Sequence, residues 1–359
     1  MDRKQKPVIL YERENTVEDL ERLKRDMSVW KICDVYKGQL KELFEINNPS
    51  LKKGKNYEVE MEKFVEGRMV KKQTLVGNWI YFPWNGRLVH SLNKKEYLQL
   101  RTNRNKNLIT QEEQEKLSDF TVGILGLSVG SHIASNLTYG GVGNTMKLAE
   151  YDALDTTNLN RIRARIDEIE EPKIDVTARQ IYEVNPYANL VLFDQGITEQ
   201  NLDEFIFKEP VPKIIFEIID NFEMKIKLRL KAKKARIPVA MFANIGDRIL
   251  FDIERYDFDD SIPLFNGLAG NAPEEIIKNP DLTDEDKNKY AVSLVGVENI
   301  PQRALDSVKE INKTLIGRPQ LMSTVSITGG LAAYITKQIA LGKSIPSGRN
   351  LVKFGDLFY

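Results

Sequence analysis

Short apolar segments alternate with longer amphipathic segments through the middle of the chain. The apolar segments, rich in β-branched residues, have the length of strands, whereas the amphipathic ones repeat their apolar positions with helical spacing. Such alternation is typical of a mostly parallel sheet with helices on both faces. Strands are predicted at 120–126, 145–151, 188–194, 212–219, 237–243 and 248–255, and helices at 129–140, 172–184 and 222–235. We therefore predict a Rossmann-like, doubly wound α/β fold.

The pattern differs on either side of this core. Upstream, 38–50 has helical spacing and 76–90 reads as two strands joined at a Pro-Trp-Asn-Gly turn, which predicts an added α+β unit. Downstream, helices are predicted at 303–316 and 321–341, while 271–290 is charged and rich in loops. The predicted organisation is an N-terminal accessory unit at 1–95, large enough to clamp a substrate, the core at 96–255, and a C-terminal helical and loop extension at 256–359 that completes the core and a substrate groove.

A short glycine loop follows the first predicted strand of the core. Gly126 and Gly130 flank it, with Ser128 between them, and small residues there let the backbone approach phosphates at a helix N-terminus. Glu150 ends the second strand about twenty residues later, where an acidic side chain commonly holds a ribose; Asp152 follows it as a further nucleotide contact. A tight turn in any α/β protein, or a dinucleotide-binding dehydrogenase, would explain these features equally well.

Four further polar residues favour a different chemistry. Asn158 and Arg161 follow the second strand, Lys173 begins a helix after a proline, and Asp220 ends the fourth strand. Two cations and a carboxylate that can bind Mg²⁺ would together stabilise a departing pyrophosphate. Each residue alone could be an ordinary surface charge, but all four at strand ends indicate a triphosphate site.

Composition excludes several alternatives. Lys plus Arg and Asp plus Glu both number 52, which argues against a nucleic-acid-binding protein. With Cys33 as the only cysteine, and His90 and His132 as the only histidines, the chain can form neither an internal disulfide nor a cysteine-rich zinc site. We find no membrane-spanning run and no signal segment, and we expect a cytoplasmic protein.

This order of motifs resembles the ThiF-type adenylyltransferases, the superfamily of ubiquitin-activating enzymes. The similarity covers residues 100–255, with NLNR at 158–161, PK at 172–173 and DN at 220–221. It implies ATP and Mg²⁺ as cofactors and a homodimer in which Arg104 enters the partner's site. By the same resemblance Glu150 holds the ribose, Asn158, Arg161 and Lys173 hold the phosphates, and Asp220 holds the metal.

The whole chain, with its PLFNGLAG and SIPSGR segments, also resembles a bacterial subgroup whose members are sometimes fused to a nitroreductase-like domain. It departs from the superfamily in lacking a cysteine after residue 33, where a catalytic thiol would stand. The resemblance therefore implies that a substrate carboxylate, on a small protein, a peptide or a small molecule, is activated as an acyl-adenylate without a thioester. The alternatives are an NAD(P)-dependent oxidoreductase on the same fold and a non-catalytic nucleotide-binding scaffold.

Overall fold

The computed structural model describes residues 6–70, 74–278, 283, 290 and 292–357. The chain divides into two compact units, residues 1–114 with 179–187 and residues 115–178 with 188–359. Most of the glycine-loop and phosphate-site predictions fall in the second unit. The domain limits predicted at residues 95 and 255 stay predictions.

The N-terminal unit is an α+β structure around a four-stranded sheet in the order β1-β3-β4-β2. Leu20 and Leu88 belong to one cluster of buried hydrophobic residues, and Leu40 and Leu43 belong to a second. Its elements are β1 (Val8–Leu10), α1 (Val17–Asp26), β2 (Lys31–Asp34), α2 (Tyr36–Asn47), α3 (Tyr57–Arg68), β3 (Asn78–Phe82), β4 (Arg87–Ser91) and α4 (Lys94–Arg101), followed by α5 (Gln111–Ser118), which runs into the second unit.

The second unit contains a seven-stranded sheet in the order β11-β10-β9-β8-β5-β6-β7. The strands from β9 to β7 in this order run parallel, whereas β10 and β11 pair antiparallel at one side. The elements are β5 (Val122–Leu125), α6 (Gly130–Gly140), β6 (Thr145–Ala149), α7 (Lys173–Val184), β7 (Asn189–Phe193), α8 (Leu202–Phe207), β8 (Ile214–Glu217), α9 (Phe222–Lys234), β9 (Val239–Ile245), β10 (Arg248–Glu254), α10 (Ala272–Lys278), α11 (Gln302–Val308), α12 (Met322–Ala340) and β11 (Gly348–Lys353). Helix α7 begins in this unit, and its residues from 179 onward belong to the first unit.

This architecture confirms the predicted Rossmann-like fold and positions its loops. Every residue of β5 is buried, because β5 lies between β6 and β8 in the middle of the sheet. Parallel strands end at the same edge of a sheet, so the loops after β5, β6 and β8 lie together at its carboxyl edge. In open α/β sheets, ligands bind at this carboxyl edge.

The C-terminal extension departs from its prediction in three places. It supplies the edge strand β11, which pairs with β10 and was not predicted. Helix α11 ends at Val308 instead of residue 316, and the segment predicted as loop at 271–290 begins with α10. The rest of that segment lies almost entirely outside the described residues. Helix α10 spans only about two turns, too few for a periodic pattern to stand out.

A cluster of buried charges ties α9 to the sheet. Arg229 on α9 is fully buried, and its guanidinium donates to Glu217 Oε2 at 2.9 Å and Glu254 Oε2 at 2.7 Å. It also lies 4.0 Å from the centroid of the Phe265 ring. Lys225 Nζ donates to Glu217 Oε1 at 2.7 Å, so two cations and two carboxylates neutralise one another inside the protein. The sequence gives no signal of this cluster, because each of its charged residues, taken alone, looks like an ordinary surface charge.

Candidate active site

The glycine loop is fixed by close contacts between its backbone and two neighbouring strands. Gly126 has φ +86°, and a Cβ added there would lie 2.4 Å from the carbonyl oxygen of Ile218, which follows β8. The Gly126 amide donates to the carbonyl of Ala149 at the end of β6 at 2.9 Å. Only glycine fits this position, both for its backbone conformation and for the space available.

Glu150 fixes the glycine loop through hydrogen bonds from backbone amides. Its side chain is 7% exposed, and Oε2 accepts from the amide of Leu127 at 2.8 Å. Oε1 accepts from the amides of Tyr151 at 2.8 Å and Asp152 at 3.1 Å. The carboxylate therefore binds backbone donors both in the glycine loop and directly after β6. Its predicted contact with a ribose stays a prediction.

The start of α6 offers further donors. The helix begins at Gly130, and the preceding Val129 gives it no side-chain cap. Ser128 Oγ is buried and finds no hydrogen-bond partner among the described residues. Uncapped amides and a positive dipole end make such a helix start attractive to anions.

The Asn158–Arg161 loop is a tight turn that carries a half-buried arginine. Asp155 and Asn158 cap one another reciprocally at its start. Arg161 Nη1 donates to the carbonyl of Thr157 at 3.2 Å and to Asn160 Oδ1 at 2.9 Å, while its Nε is buried with no partner in the described part of the chain. Burial lowers the pKa of the Arg161 guanidinium from its usual value. An arginine with an unused buried donor is ready to accept an anion.

Lys173 and Asp152 form an ion pair that joins two predicted site residues. Lys173 begins α7, is 8% exposed, and its Nζ lies 3.0 Å from Asp152 Oδ2. The backbone repeats the contact, because the Lys173 amide donates to the Asp152 carbonyl at 2.9 Å. The Asp152 carboxylate in turn raises the pKa of the neighbouring Tyr151 phenol, with burial second. The lysine is therefore fixed beside the end of β6.

Asp220 stands in the loop that leads from β8 to α9. Its side chain is largely exposed, and Oδ1 accepts from Nη2 of Arg318 at 2.7 Å. Within the described ranges no group of three or more His, Cys, Asp or Glu residues could by itself hold a metal ion. A single accessible carboxylate fits Mg²⁺ that completes its coordination with phosphate oxygens and water. It does not fit a metal held by protein ligands alone.

Arg104 lies in the N-terminal unit, in a 3₁₀ turn over Asn103–Asn105, and is exposed. Its predicted action in a partner's site stays a prediction. Cys33 is half-buried in β2, an edge strand that packs little side-chain surface.

Three polar residues at the site escaped the sequence analysis. His132 Nε2 donates to the Arg161 carbonyl at 2.8 Å, and burial lowers the pKa of this imidazole. Asn160 contacts the side chain of Arg161, and Arg318 contacts Asp220. The rarity of histidine could have drawn attention to His132. Nothing local marks Arg318, which is 98 positions from its partner in the sequence.

No helix in the described part of the chain has the length and apolar character needed to cross a membrane.

Comparison with known proteins agrees with this architecture. The chain is 34% identical over 271 residues to an uncharacterised protein of Mycobacterium tuberculosis, MT1398, covering 76% of this chain and 37% of that protein. It is 30% identical over 159 residues to the tRNA threonylcarbamoyladenosine dehydratase of Bacillus subtilis, covering 44% of this chain and 61% of the enzyme. The chain thus spans less than two thirds of either relative.

Among solved structures, that of PaaA is similar in fold, with a TM-score of 0.51 and 18% identity, covering 73% of this chain and 77% of that one. Residues 101–248 match the ThiF family, and this stretch contains the glycine loop, the Asn158–Arg161 turn, Lys173 and Asp220. The nitroreductase fusion of the predicted subgroup finds no support in these similarities. The chain therefore contains a ThiF-family domain at residues 101–248.

Proposed function

We propose that this protein is an ATP-dependent adenylyltransferase that activates a substrate carboxylate as an acyl-adenylate. Two cations that follow β6 in a ThiF-family domain carry the proposal. Lys173 is paired with Asp152, and the buried Nε of Arg161 has no partner among the residues that the structure describes. A dehydrogenase would need neither cation. Adenylation needs both, because negative charge builds up on the departing phosphates.

Each residue has a role in this reaction. The glycine loop and the start of α6 would hold the phosphates, with Glu150 keeping the loop in place and approaching the ribose. A carboxylate oxygen of the substrate attacks the α-phosphorus, the bond to the bridging oxygen breaks, and pyrophosphate leaves with that electron pair. Arg161 and Lys173 stabilise its charge. A Mg²⁺ ion held by Asp220 would neutralise further charge on the phosphates.

The acyl-adenylate is expected to react without a thioester. Cys33 is the only cysteine, and it lies in the edge strand β2 of the N-terminal unit, outside the ThiF domain. The substrate carboxylate belongs to a small protein, a peptide or a small molecule, and an amine, an amide or an internal nucleophile attacks the adenylate. We expect this reaction in the cytoplasm, with no role for nucleic acid or a membrane. The names of the relatives refer to different partners, including tRNA and ubiquitin-like modifiers, so they identify no single substrate for this chain.

Exchange of labelled pyrophosphate into ATP, measured with a pool of candidate carboxylates and peptides, tests the activity. Arg161→Ala, Lys173→Ala and Asp220→Ala should each lower exchange by about a hundredfold or more. Lys234→Ala removes an exposed cation of α9 and is the matched control, with wild-type exchange expected. Near wild-type exchange in two of the three site variants would show that the site is elsewhere. Binding of Mg-ATP with no exchange for any carboxylate would favour the scaffold.

We further propose a homodimer in which Arg104 of one subunit completes the site of the other. A two-fold dimer then contains two composite sites. Arg104→Ala and Lys173→Ala proteins, each inactive alone, should recover part of the exchange activity when their subunits are mixed, because one site of the mixed dimer carries no lesion. A mixture that stays inactive after subunit exchange is confirmed would exclude action in trans.

A further inference from the structure

The segment Arg318–Gln320, just before α12, contacts both loops of the candidate site. Arg318 reaches the loop after β8, where Nη2 lies 2.7 Å from Asp220 Oδ1. The backbone carbonyl of Gln320 accepts from Asn160 Nδ2 at 2.9 Å, in the loop after β6. We call Arg318–Gln320 the bridging segment, because its two hydrogen bonds join loops that are far apart in the sequence.

A chain of hydrogen bonds connects this segment to the phosphate-site arginine. Asn160 accepts from Arg161 Nη1 at 2.9 Å and donates to Gln320, so one amide side chain links Arg161 to the bridging segment. The segment is therefore held beside two groups of the proposed site, Arg161 and the metal ligand Asp220. The guanidinium of Arg318 on this segment lies beside Asp220, the residue we propose as the metal ligand.

The partner of Arg318 in this structure is one that a ligand can replace. The Arg318 side chain is 66% exposed and that of Asp220 92% exposed. Ion pairs this exposed contribute about 0–1 kcal/mol, so breaking one to bind a ligand costs little. If Asp220 turns to Mg²⁺, as proposed above, Arg318 loses part of its counter-charge and stands free beside the incoming nucleotide.

We propose that Arg318 is a further anion-binding residue of the active site, which exchanges Asp220 for the phosphate oxygens of a nucleoside triphosphate. The inference rests on the proposed function. Its chemical basis is that the guanidinium presents a planar fork of donors that matches phosphate oxygens, and that a triphosphate carries more negative charge than one carboxylate. Arg318 then acts with Arg161 and Lys173 as a third cation against the triphosphate.

Calorimetric titration of the full-length protein with Mg-ATP tests the assignment without relying on turnover. Arg318→Gln should weaken Mg-ATP binding by about tenfold, as expected for the loss of one charge-assisted contact. Binding of adenosine, which lacks phosphates, should stay unchanged. Arg318→Lys keeps the charge but loses the fork, and its affinity should lie between those of the wild type and Arg318→Gln.

Lys313→Gln is the matched control, because Lys313 is an exposed cation a few residues before the bridging segment and its removal changes net charge equally. It should bind Mg-ATP like the wild type. Equal weakening of Mg-ATP binding in both variants would show that Arg318 acts only through the overall positive charge of the protein. That result would overturn the assignment. Unchanged or tighter binding by Arg318→Gln would also overturn it, because it would show that the Asp220 pair merely blocks the metal ligand.

The same titrations separate this inference from the function on which it rests. Wild-type protein that fails to bind Mg-ATP would refute both. Wild-type binding that is lost in Lys173→Ala but kept in Arg318→Gln would leave the adenylation proposal standing and refute only the role of Arg318. A thermal unfolding midpoint close to that of the wild type is expected for Arg318→Gln, since the pair it removes lies at the surface.

Discussion

Removal of Arg229 should destabilise the second unit more than any change at the active site. Its guanidinium holds Glu217 and Glu254, and all three side chains are fully buried. In Arg229→Met, two buried carboxylates keep only Lys225 as a cationic partner within the cluster. Breaking a buried pair from one side typically costs about 3–5 kcal/mol, because a charge is left without solvent or counter-ion. The lost stacking on Phe265 adds to this.

The expected loss is measurable by heat and by denaturant. For a unit of this size each kcal/mol lowers the melting temperature by about 2–4 °C, so Arg229→Met should melt about 6–20 °C below the wild type. Far-UV circular dichroism is the suitable probe, because all three tryptophans, Trp30, Trp79 and Trp84, lie in the N-terminal unit. Their fluorescence follows that unit instead.

A double-mutant cycle separates lost pairing from lost packing. Glu254→Gln removes one of the two carboxylates, so Arg229→Met should cost less on that background than in the wild type. The coupling expected for groups in contact is about 0.5–3 kcal/mol. A loss below about 1 kcal/mol for Arg229→Met, or strictly additive effects of the two changes, would refute the view that Arg229 neutralises this cluster.

Three further predictions concern other parts of the chain. Lys147 is buried and donates to three carbonyls at the end of α8, and its pKa is lowered by burial to about 8. The unfolded chain then binds more protons than the folded protein between about pH 8 and pH 10.5, so the free energy of unfolding should rise with pH there, by at most about 3 kcal/mol. Lys147→Met should flatten this rise. An unchanged dependence of the free energy of unfolding on pH in that variant, measured by urea titration, would contradict the assignment. Gly126→Ala should lower both stability and Mg-ATP affinity, because the added Cβ meets the Ile218 carbonyl, and a melting point equal to the wild type would show that the loop adapts. Cys33→Ala should retain pyrophosphate exchange, whereas a thiol-sensitive substrate adduct on Cys33 in mass spectra would contradict catalysis without a thioester.

The core could be predicted from the sequence because each of its strands and helices has a local sequence pattern. Buried parallel strands such as β5 and β6 are continuous apolar runs, and α6 and α7 begin at glycine and after proline. Their strand-end residues could then be located by position alone. The Lys173–Asp152 pair illustrates this, since position alone assigns both residues to the site and the structure brings their side chains into contact.

The parts that escaped prediction depend on long-range contacts. Strand β11 is a short polar edge strand whose pairing with β10 leaves no periodic signal. Arg229 reads as one of several cations on α9, and only the packing of that helix buries it while its neighbour Lys234 stays exposed. Arg318 becomes relevant only because the segment before α12 returns to the carboxyl edge of the sheet.

Each cation of the proposed triphosphate site has a polar partner within the protein. Lys173 has Asp152, Arg318 has Asp220, and Arg161 has Asn160 and a backbone carbonyl. These partners differ in burial, and so in how readily each cation can leave. Lys173 is nearly buried and fixed also through its backbone, whereas the Arg318 pair is open to water. We therefore expect Lys173 to act in place, and Arg318 to be the group whose side chain changes partner when the nucleotide binds.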